Sequence, residues 1–385
     1  MFTYHCLNNI AAVGTDYFDE NYQAVDTPDA DAILVRSANM KEMEFSDKLA
    51  AIARAGAGVN NIPLDVCAKK GIVVFNTPGA HANGVKELVI AGLLLGSRDI
   101  VGGIEWLERQ EKTDDIAKKV EKQKKQFAGH EISGKKLGII GLGAIGVMVA
   151  NTAVNLGMDV YGYDPFISVN AAWNLSRNIR HVTDLKDIYR DCDYVTIHVP
   201  LSNDTKGMIG KEAFALMKDG VVLLNFARDA LVEESSLIEA LSTGKVSKYV
   251  TDFVTPAVAN AKNTLVIPHL GASTVESEDN CAVMAVKELR DYLENGNIKN
   301  SVNYPACDLG MKSGQARIGI LHLNVPNMIA QYTRVLGEAN INIANFADKC
   351  RGEYAYSLMD VDGEVDDSTL EGLRKISGVL KVRLI

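Results

Sequence analysis

The sequence predicts an α/β protein of two to three domains, on three observations. Short runs rich in Val and Ile alternate with helix-period stretches over most of the chain, the pattern of strand-helix units around a parallel sheet. A glycine-rich turn joins one such strand to a helix near the middle of the chain. At roughly 150 residues per domain, 385 residues exceed a single module. Hydrophobic residues at 47% and charged residues at 23% let each domain bury a core and exclude wholesale disorder. A formal charge of −9 works against nucleic acid or anionic lipid as the main partner. The longest strongly apolar run, residues 88–96, falls far short of the ~20 residues of a membrane span, and the N-terminus lacks a signal-peptide layout, so a cytoplasmic location is expected. Cys6, Cys67, Cys192, Cys281, Cys307 and Cys350 lie far apart without a C-x-x-C pair, which fits reduced thiols, and no metal site is expected.

In order along the chain, residues 32–35 and 71–75 read as buried strands and residues 46–54 and 84–95 as helices. A polar stretch over 105–134 follows, whose Lys118, Lys119, Lys122, Lys124 and Lys125 are mixed with acids and read as a solvated helix face. A second alternating series runs from Lys136 to about residue 267. Residues 303–315, with Pro305, Gly310, Ser313 and Gly314, read as a linker. Beyond it, residues 317–325 form a strand, and Met328, Tyr332, Val335, Leu336 and Ala339 recur at helical spacing. Residues 341–349 and 354–361 make two strands joined at Arg351-Gly352, a capping box Ser368-Thr369-Leu370-Glu371 opens a helix, and residues 379–385 end as a strand. The order βαββαβ is a ferredoxin-like unit.

The sharpest motif is Gly141-Leu142-Gly143-Ala144-Ile145-Gly146, between the apolar strand 136–140 and a helix. Gly141 permits the tight turn, Gly143 lets the backbone approach a pyrophosphate, and Gly146 allows close helix-strand packing. The backbone of Ala144 and Ile145 opens the helix whose N-terminus holds the phosphate charge. A second strand, 159–163, ends in Asp164, placed to accept hydrogen bonds from a ribose and to repel a 2′-phosphate, so NAD is the expected cofactor in a Rossmann-like lobe.

Dehydrogenation of a hydroxy acid needs a base, a cation for the carboxylate, and a nicotinamide held close to the reacting carbon. Arg228 follows the strand 221–225 at the carboxyl end, where ligands bind in open sheets. His269 follows the strand 265–267, and Asp252 ends the strand 248–251, where it would anchor the nicotinamide amide or serve as a solvated turn acid. His198 and His81 read as loop residues.

The glycine motif together with Tyr163-Asp164-Pro165, His198-Val199-Pro200, Asn225-Phe226-Ala227-Arg228 and Pro268-His269-Leu270-Gly271-Ala272-Ser273-Thr274 resembles the D-isomer-specific 2-hydroxyacid dehydrogenases, over nearly the whole chain. Arg36-Ser37, Arg54-Ala55-Gly56-Ala57-Gly58-Val59-Asn60-Asn61 and Asn76-Thr77-Pro78-Gly79 are similar to the members of that family that oxidise 3-phospho-D-glycerate and open serine biosynthesis. The resemblance implies a discontinuous substrate domain over residues 1–97 and 270–303 around an NAD-binding domain over 98–269, a linker over 304–315 and a tail over 316–385. It implies His269 as acid/base, Arg228 as carboxylate clamp, Arg36, Ser37 and Arg54 facing the substrate, and Pro200, Asp252 and Gly271 beside the cofactor. The tail resembles an ACT regulatory domain, which implies L-serine as effector at His322, Asn324 and Asn342, and a homo-oligomer.

The chain departs from the family in two places. The glutamate that pairs with the histidine in the family's D-V-F-x-x-E-P loop has no counterpart in Asp252-Phe253-Val254-Thr255-Pro256 and the residues after it, and Asp229 stands where glycine usually follows the arginine. Lys86, Glu276 and Glu278 are candidate substitutes for the glutamate. Two other readings stay open: a dehydrogenase of another D-2-hydroxy acid, and a catalytically weak NAD-binding serine sensor.

Overall fold

The computed structural model describes residues 1–385. Contacts divide them into two units, Met1–Ala80 with Glu278–Ile385, and His81–Ser277. The first boundary thus falls at residue 80 and not at the expected residue 97.

In the first unit β1 (Phe2–Cys6), β2 (Tyr22–Ala24), β3 (Ala32–Val35), β4 (Ala51–Arg54) and β5 (Val73–Phe75) form a parallel sheet in the order β2-β1-β3-β4-β5. The four residues of β3 are all buried, as an unbroken apolar run covered on both faces should be. The expected helix over 46–54 is not formed. Its apolar stretch Ala51–Arg54 is β4, whose backbone groups are taken by β3 on one side and β5 on the other. Helix Val275–Asn295 lays Ala282, Ala285, Val286, Leu289 and Leu293 into the core over this sheet, a set at helical spacing.

The second unit holds β6 (Lys136–Ile140), β7 (Asp159–Tyr163), β8 (Arg180–His181), β9 (Tyr194–Ile197), β10 (Val221–Asn225), β11 (Val246–Thr251) and β12 (Thr264–Val266). All pair in parallel, in the order β12-β11-β10-β9-β6-β7-β8. The winding reverses between β6 and β9, the switch point where such sheets bind ligands beyond their carboxyl ends. Helix Ala82–Ser97 buries Val85, Val89 and Leu93 in this unit's core. A Cβ on Gly92 would lie 2.8 Å from the Phe226 ring, and one on Gly96 2.9 Å from Val222. Such close approach is what joins the helix to the second sheet and moves the boundary. Helices Ile100–Glu108 and Ile116–Gln123 bury no residue. No helix is long and apolar enough to cross a membrane.

In the tail, β13 (Ala316–Leu323), β14 (Asn342–Arg351), β15 (Tyr354–Asp362) and β16 (Val379–Leu384) form an antiparallel sheet in the order β14-β15-β13-β16. With helices Met328–Glu338 and Asp367–Arg374 between them, the order is βαββαβ. The second helix is capped by Asp366, whose carboxylate accepts from the Thr369 N–H at 2.8 Å; Ser368 instead donates to Asp366. The expected cap at Ser368 is displaced because the ionised carboxylate two residues earlier is the stronger acceptor.

Residues 303–315 do not form a free linker. Tyr304 is buried and donates to the Ala68 carbonyl at 2.7 Å, and Cys307 exchanges two backbone hydrogen bonds with Ile298. Leu321, Tyr356 and Leu358 of the tail share the core of the first sheet. Lys381 donates to the Leu49 carbonyl at 2.6 Å, and Arg383 to the carbonyls of Tyr292 and Leu293.

Candidate functional site

The glycine turn has the shape its spacing implies. Gly141 adopts φ +95°, and a Cβ there would sit 2.6 Å from the His198 carbonyl oxygen. A Cβ on Gly146 would lie 2.0 Å from the Gly141 oxygen, so the helix start rests directly on the turn. A Cβ on Gly143 would meet nothing within 4 Å, which leaves the turn open at that point. Helix Ala144–Asn155 begins here with no side chain capping it, so the N–H groups over Ala144, Ile145 and Gly146 remain available to an anion. Asp164 at the end of β7 accepts from the Leu142 N–H and the Phe166 N–H, each at 2.8 Å. Each carboxylate oxygen keeps a lone pair for a ribose hydroxyl. These features fit a dinucleotide.

His198, read from sequence as a loop residue, lies under the turn. Its N–H donates to the Ile140 carbonyl, its Nε2 pairs with Thr196 Oγ1 at 3.1 Å, and burial pushes its pKa down to about 4. The ring is neutral and structural. Pro200 is exposed two residues on, its carbonyl accepting from Thr205.

The loops after β10 and β11 are tied to one another. The Asn225 amide donates to the Arg228 carbonyl at 2.8 Å while its oxygen accepts from the Ala227 N–H. Thr251 Oγ1 donates to the Asn225 carbonyl at 2.8 Å and accepts from the Phe253 N–H. Arg228 is exposed, with its guanidinium carbon 5.8 Å from the centre of the Phe253 ring. His269 is exposed and its ring lies 4.6 Å from the same phenyl ring, tilted by 53°. Asp252 is buried at 3% exposure. Burial raises its pKa, opposed by the charges of His269 and Arg228 and by a hydrogen bond from the Gly271 N–H. Its Oδ1 has no partner, an acceptor open to an amide N–H. A Cβ on Gly271 would lie 3.4 Å from Asp252 Oδ2.

None of the candidate substitutes for the glutamate touches the imidazole. Lys86 lies 3.5 Å from Glu87, Glu278 pairs with Arg36 at 2.5 Å, and Glu276 is exposed.

In the first unit Arg36 and Ser37 follow the carboxyl end of β3, beside Arg54, the last residue of β4. The Asn8 side-chain oxygen accepts from the N–H groups of Arg36, Ser37 and Ala38, at 3.1, 3.1 and 2.9 Å. Arg54 Nε donates to the Arg36 carbonyl at 3.0 Å. Thr77 Oγ1 accepts from the N–H of Gly56, which adopts φ +148°. The roles of Asn8, Asn225 and Thr251 as loop fasteners are invisible in the sequence, where each is simply a polar residue near a strand end.

The tail residues do not converge within one chain. His322 is buried, its ring engaged by the Leu323 carbonyl, Ser357 Oγ at 3.2 Å and Asp348 at 3.6 Å. Asn324 lies beyond the end of β13, so it does not share a strand face with His322; it donates to the Gly352 carbonyl. Asn342 pairs with Asp362, at the opposite end of β15 from Ala355, which pairs with His322.

Residues 92–271 match the model of the D-isomer specific 2-hydroxyacid dehydrogenase NAD-binding domain. The chain is 31% identical to D-3-phosphoglycerate dehydrogenase of Haemophilus influenzae, across 89% of this chain and 83% of that one. It is 34% identical to the enzyme of the same name from Methanocaldococcus jannaschii, across 72% of this chain and 52% of that one. Among solved structures, the NAD+-bound 3-phosphoglycerate dehydrogenase of Entamoeba histolytica superposes with a TM-score of 0.60 at 27% identity, over 78% of this chain and 98% of that one. A D-2-hydroxyisocaproate dehydrogenase, at 18% identity and a TM-score of 0.64, shares the fold. With its glycine turn, the loops of Arg228 and His269 and these similarities, the chain belongs to the D-isomer-specific 2-hydroxyacid dehydrogenases and carries that family's NAD-binding domain.

Proposed function

We propose that the chain oxidises the C2 hydroxyl of 3-phospho-D-glycerate to 3-phosphohydroxypyruvate, the first step of L-serine biosynthesis, with NAD. The observation that carries this reading is the convergence of Arg228 and His269 on one phenyl ring in the unit that bears the glycine turn. When bound, NAD supplies the hydride acceptor. Gly141, Gly143 and Gly146, with the N–H groups over Ala144 and Ile145, would hold its pyrophosphate, Asp164 its ribose and Asp252 Oδ1 its amide, with Pro200 and Gly271 lining the turn beside it. The imidazole of His269 takes the hydroxyl proton, and Arg228 forks onto the carboxylate. Arg36, Ser37 and Arg54 supply charge and hydrogen bonds for the phosphate. Lys86, on helix Ala82–Ser97, is an auxiliary donor.

The tail is read as an ACT module with L-serine as effector. Because His322 and Asn324 lie at one end of the sheet and Asn342 at the other, a site made of all three needs two copies of the chain, which supports a homo-oligomer. Replacing His269 by Ala is expected to lower kcat on 3-phospho-D-glycerate a hundredfold or more with NAD affinity unchanged. Unaltered turnover would remove His269 from the mechanism.

A further inference from the structure

The imidazole of His269 is exposed and has no hydrogen-bond or ion-pair partner in the chain; what it touches is the ring of Phe253. The guanidinium of Arg228 sits against that same ring. One half-buried phenyl group therefore contacts both exposed residues read above as the reacting machinery, on loops 41 positions apart in sequence (269 less 228).

The ring is itself well anchored. The Phe253 N–H donates to Thr251 Oγ1, Thr251 donates to the Asn225 carbonyl, and the Asn225 amide donates to the Arg228 carbonyl. On its other side the loop is closed by Thr255, which caps helix Pro256–Asn260 and donates to the Glu234 carboxylate. An aromatic side chain has two torsions, so a fixed backbone leaves it few positions. Its π-system attracts a guanidinium and an imidazolium, so its hold on the imidazole strengthens when that ring takes up the substrate's proton. The charges of His269 and Arg228 both act on the buried Asp252. The Asp252 carboxylate is held by the Gly271 N–H below the surface and does not hydrogen-bond the imidazole.

We propose that Phe253 is a positioning residue, whose single ring sets the orientation of the His269 imidazole and its spacing from the Arg228 guanidinium. The inference rests on the reading of His269 as acid/base. Phe253→Leu keeps an apolar side chain but removes the π-system, Phe253→Tyr keeps the ring, and His269→Ala tests the parent reading. In steady state, the Leu variant should lose about tenfold in kcat, equivalent to about 1.4 kcal/mol, with the KM for NAD within twofold and the unfolding temperature unchanged. The Tyr variant should stay within twofold of the parent protein. In proton NMR of the cofactor-free protein, the His269 ring signals, identified by their loss in His269→Ala, should shift in the Leu variant and not in the Tyr variant, as the ring current of Phe253 is removed or kept. Full kcat in the Leu variant, or a Tyr variant as impaired as Leu, would overturn the proposal while a dead His269→Ala left the parent reading intact. A fully active His269→Ala would overturn both.

Discussion

A carboxyl group on the buried side of helix Val275–Asn295 and an imidazole under the glycine turn give the protein opposite responses to pH. Glu288 is 8% exposed; one oxygen accepts from the Asn300 amide at 2.7 Å and the other has no partner. Burial pushes its pKa up to about 8. The folded state then keeps a proton that the unfolded chain has lost above its carboxylate pKa of ~4.3, so this group lowers stability as pH rises from there toward 8. His198 behaves in reverse. With a folded pKa of about 4 and an unfolded value of ~6.5, it costs stability as pH falls through that window, by up to about 3 kcal/mol. We expect Glu288→Gln to raise the urea midpoint at pH 8 by the equivalent of ~1–3 kcal/mol and to leave it unchanged near pH 4. A His198→Gln protein should lose less stability between pH 6.5 and 4.5 than its parent does. Urea titrations at these four pH values check both signs. These behaviours were not legible in the sequence. A glutamate in a helix and a histidine after a strand look alike whether solvated or buried, and only the tertiary packing decides.

At the scale of elements, legibility followed locality. The strand β6, the glycine turn, helix Ala144–Asn155 and Asp164 lie within one βαβ unit, and every part of that reading depends on neighbours in sequence. By contrast, the four residues Ala51–Arg54 are too few to show a period, and their identity as β4 comes from pairing with β3 and β5. The ion pair of Arg36 with Glu278 joins residues 242 positions apart, so no spacing rule could have found it. The glycine turn yields a contrast between two substitutions. Gly146→Ala would place a Cβ 2.0 Å from a backbone oxygen, so the turn must distort; both the unfolding temperature and NAD affinity should fall. Gly143→Ala meets no protein atom, so the fold should survive while the added methyl group obstructs the pyrophosphate. A scanning calorimetry trace at parental temperature together with a roughly tenfold or greater loss in NAD affinity is the expected result for Gly143→Ala. Parental NAD affinity would place the pyrophosphate elsewhere.

For the molecule as a whole, the tail is wedded to the first sheet more firmly than its sequence suggests. Residues 303–315 contain the Pro, Gly and Ser of a linker, yet Tyr304 and Cys307 within them are buried, and the buried pair of Arg317 with Asp360 sits where the tail begins. Composition could not disclose this, because a few buried residues, Tyr304, Pro305 and Cys307, fix the segment despite its Gly and Ser. Removing residues 316–385 would uncover the core that Leu321, Tyr356 and Leu358 complete. The truncated protein should therefore aggregate or unfold at lower temperature, and the full chain's tail and first sheet should melt in one transition, as differential scanning calorimetry can show. Purified protein with NAD should form NADH at alkaline pH from 3-phospho-D-glycerate, with kcat/KM well above that for D-lactate or D-2-hydroxyisocaproate; no NADH from 3-phospho-D-glycerate alongside turnover of another D-2-hydroxy acid would contradict the proposed reaction.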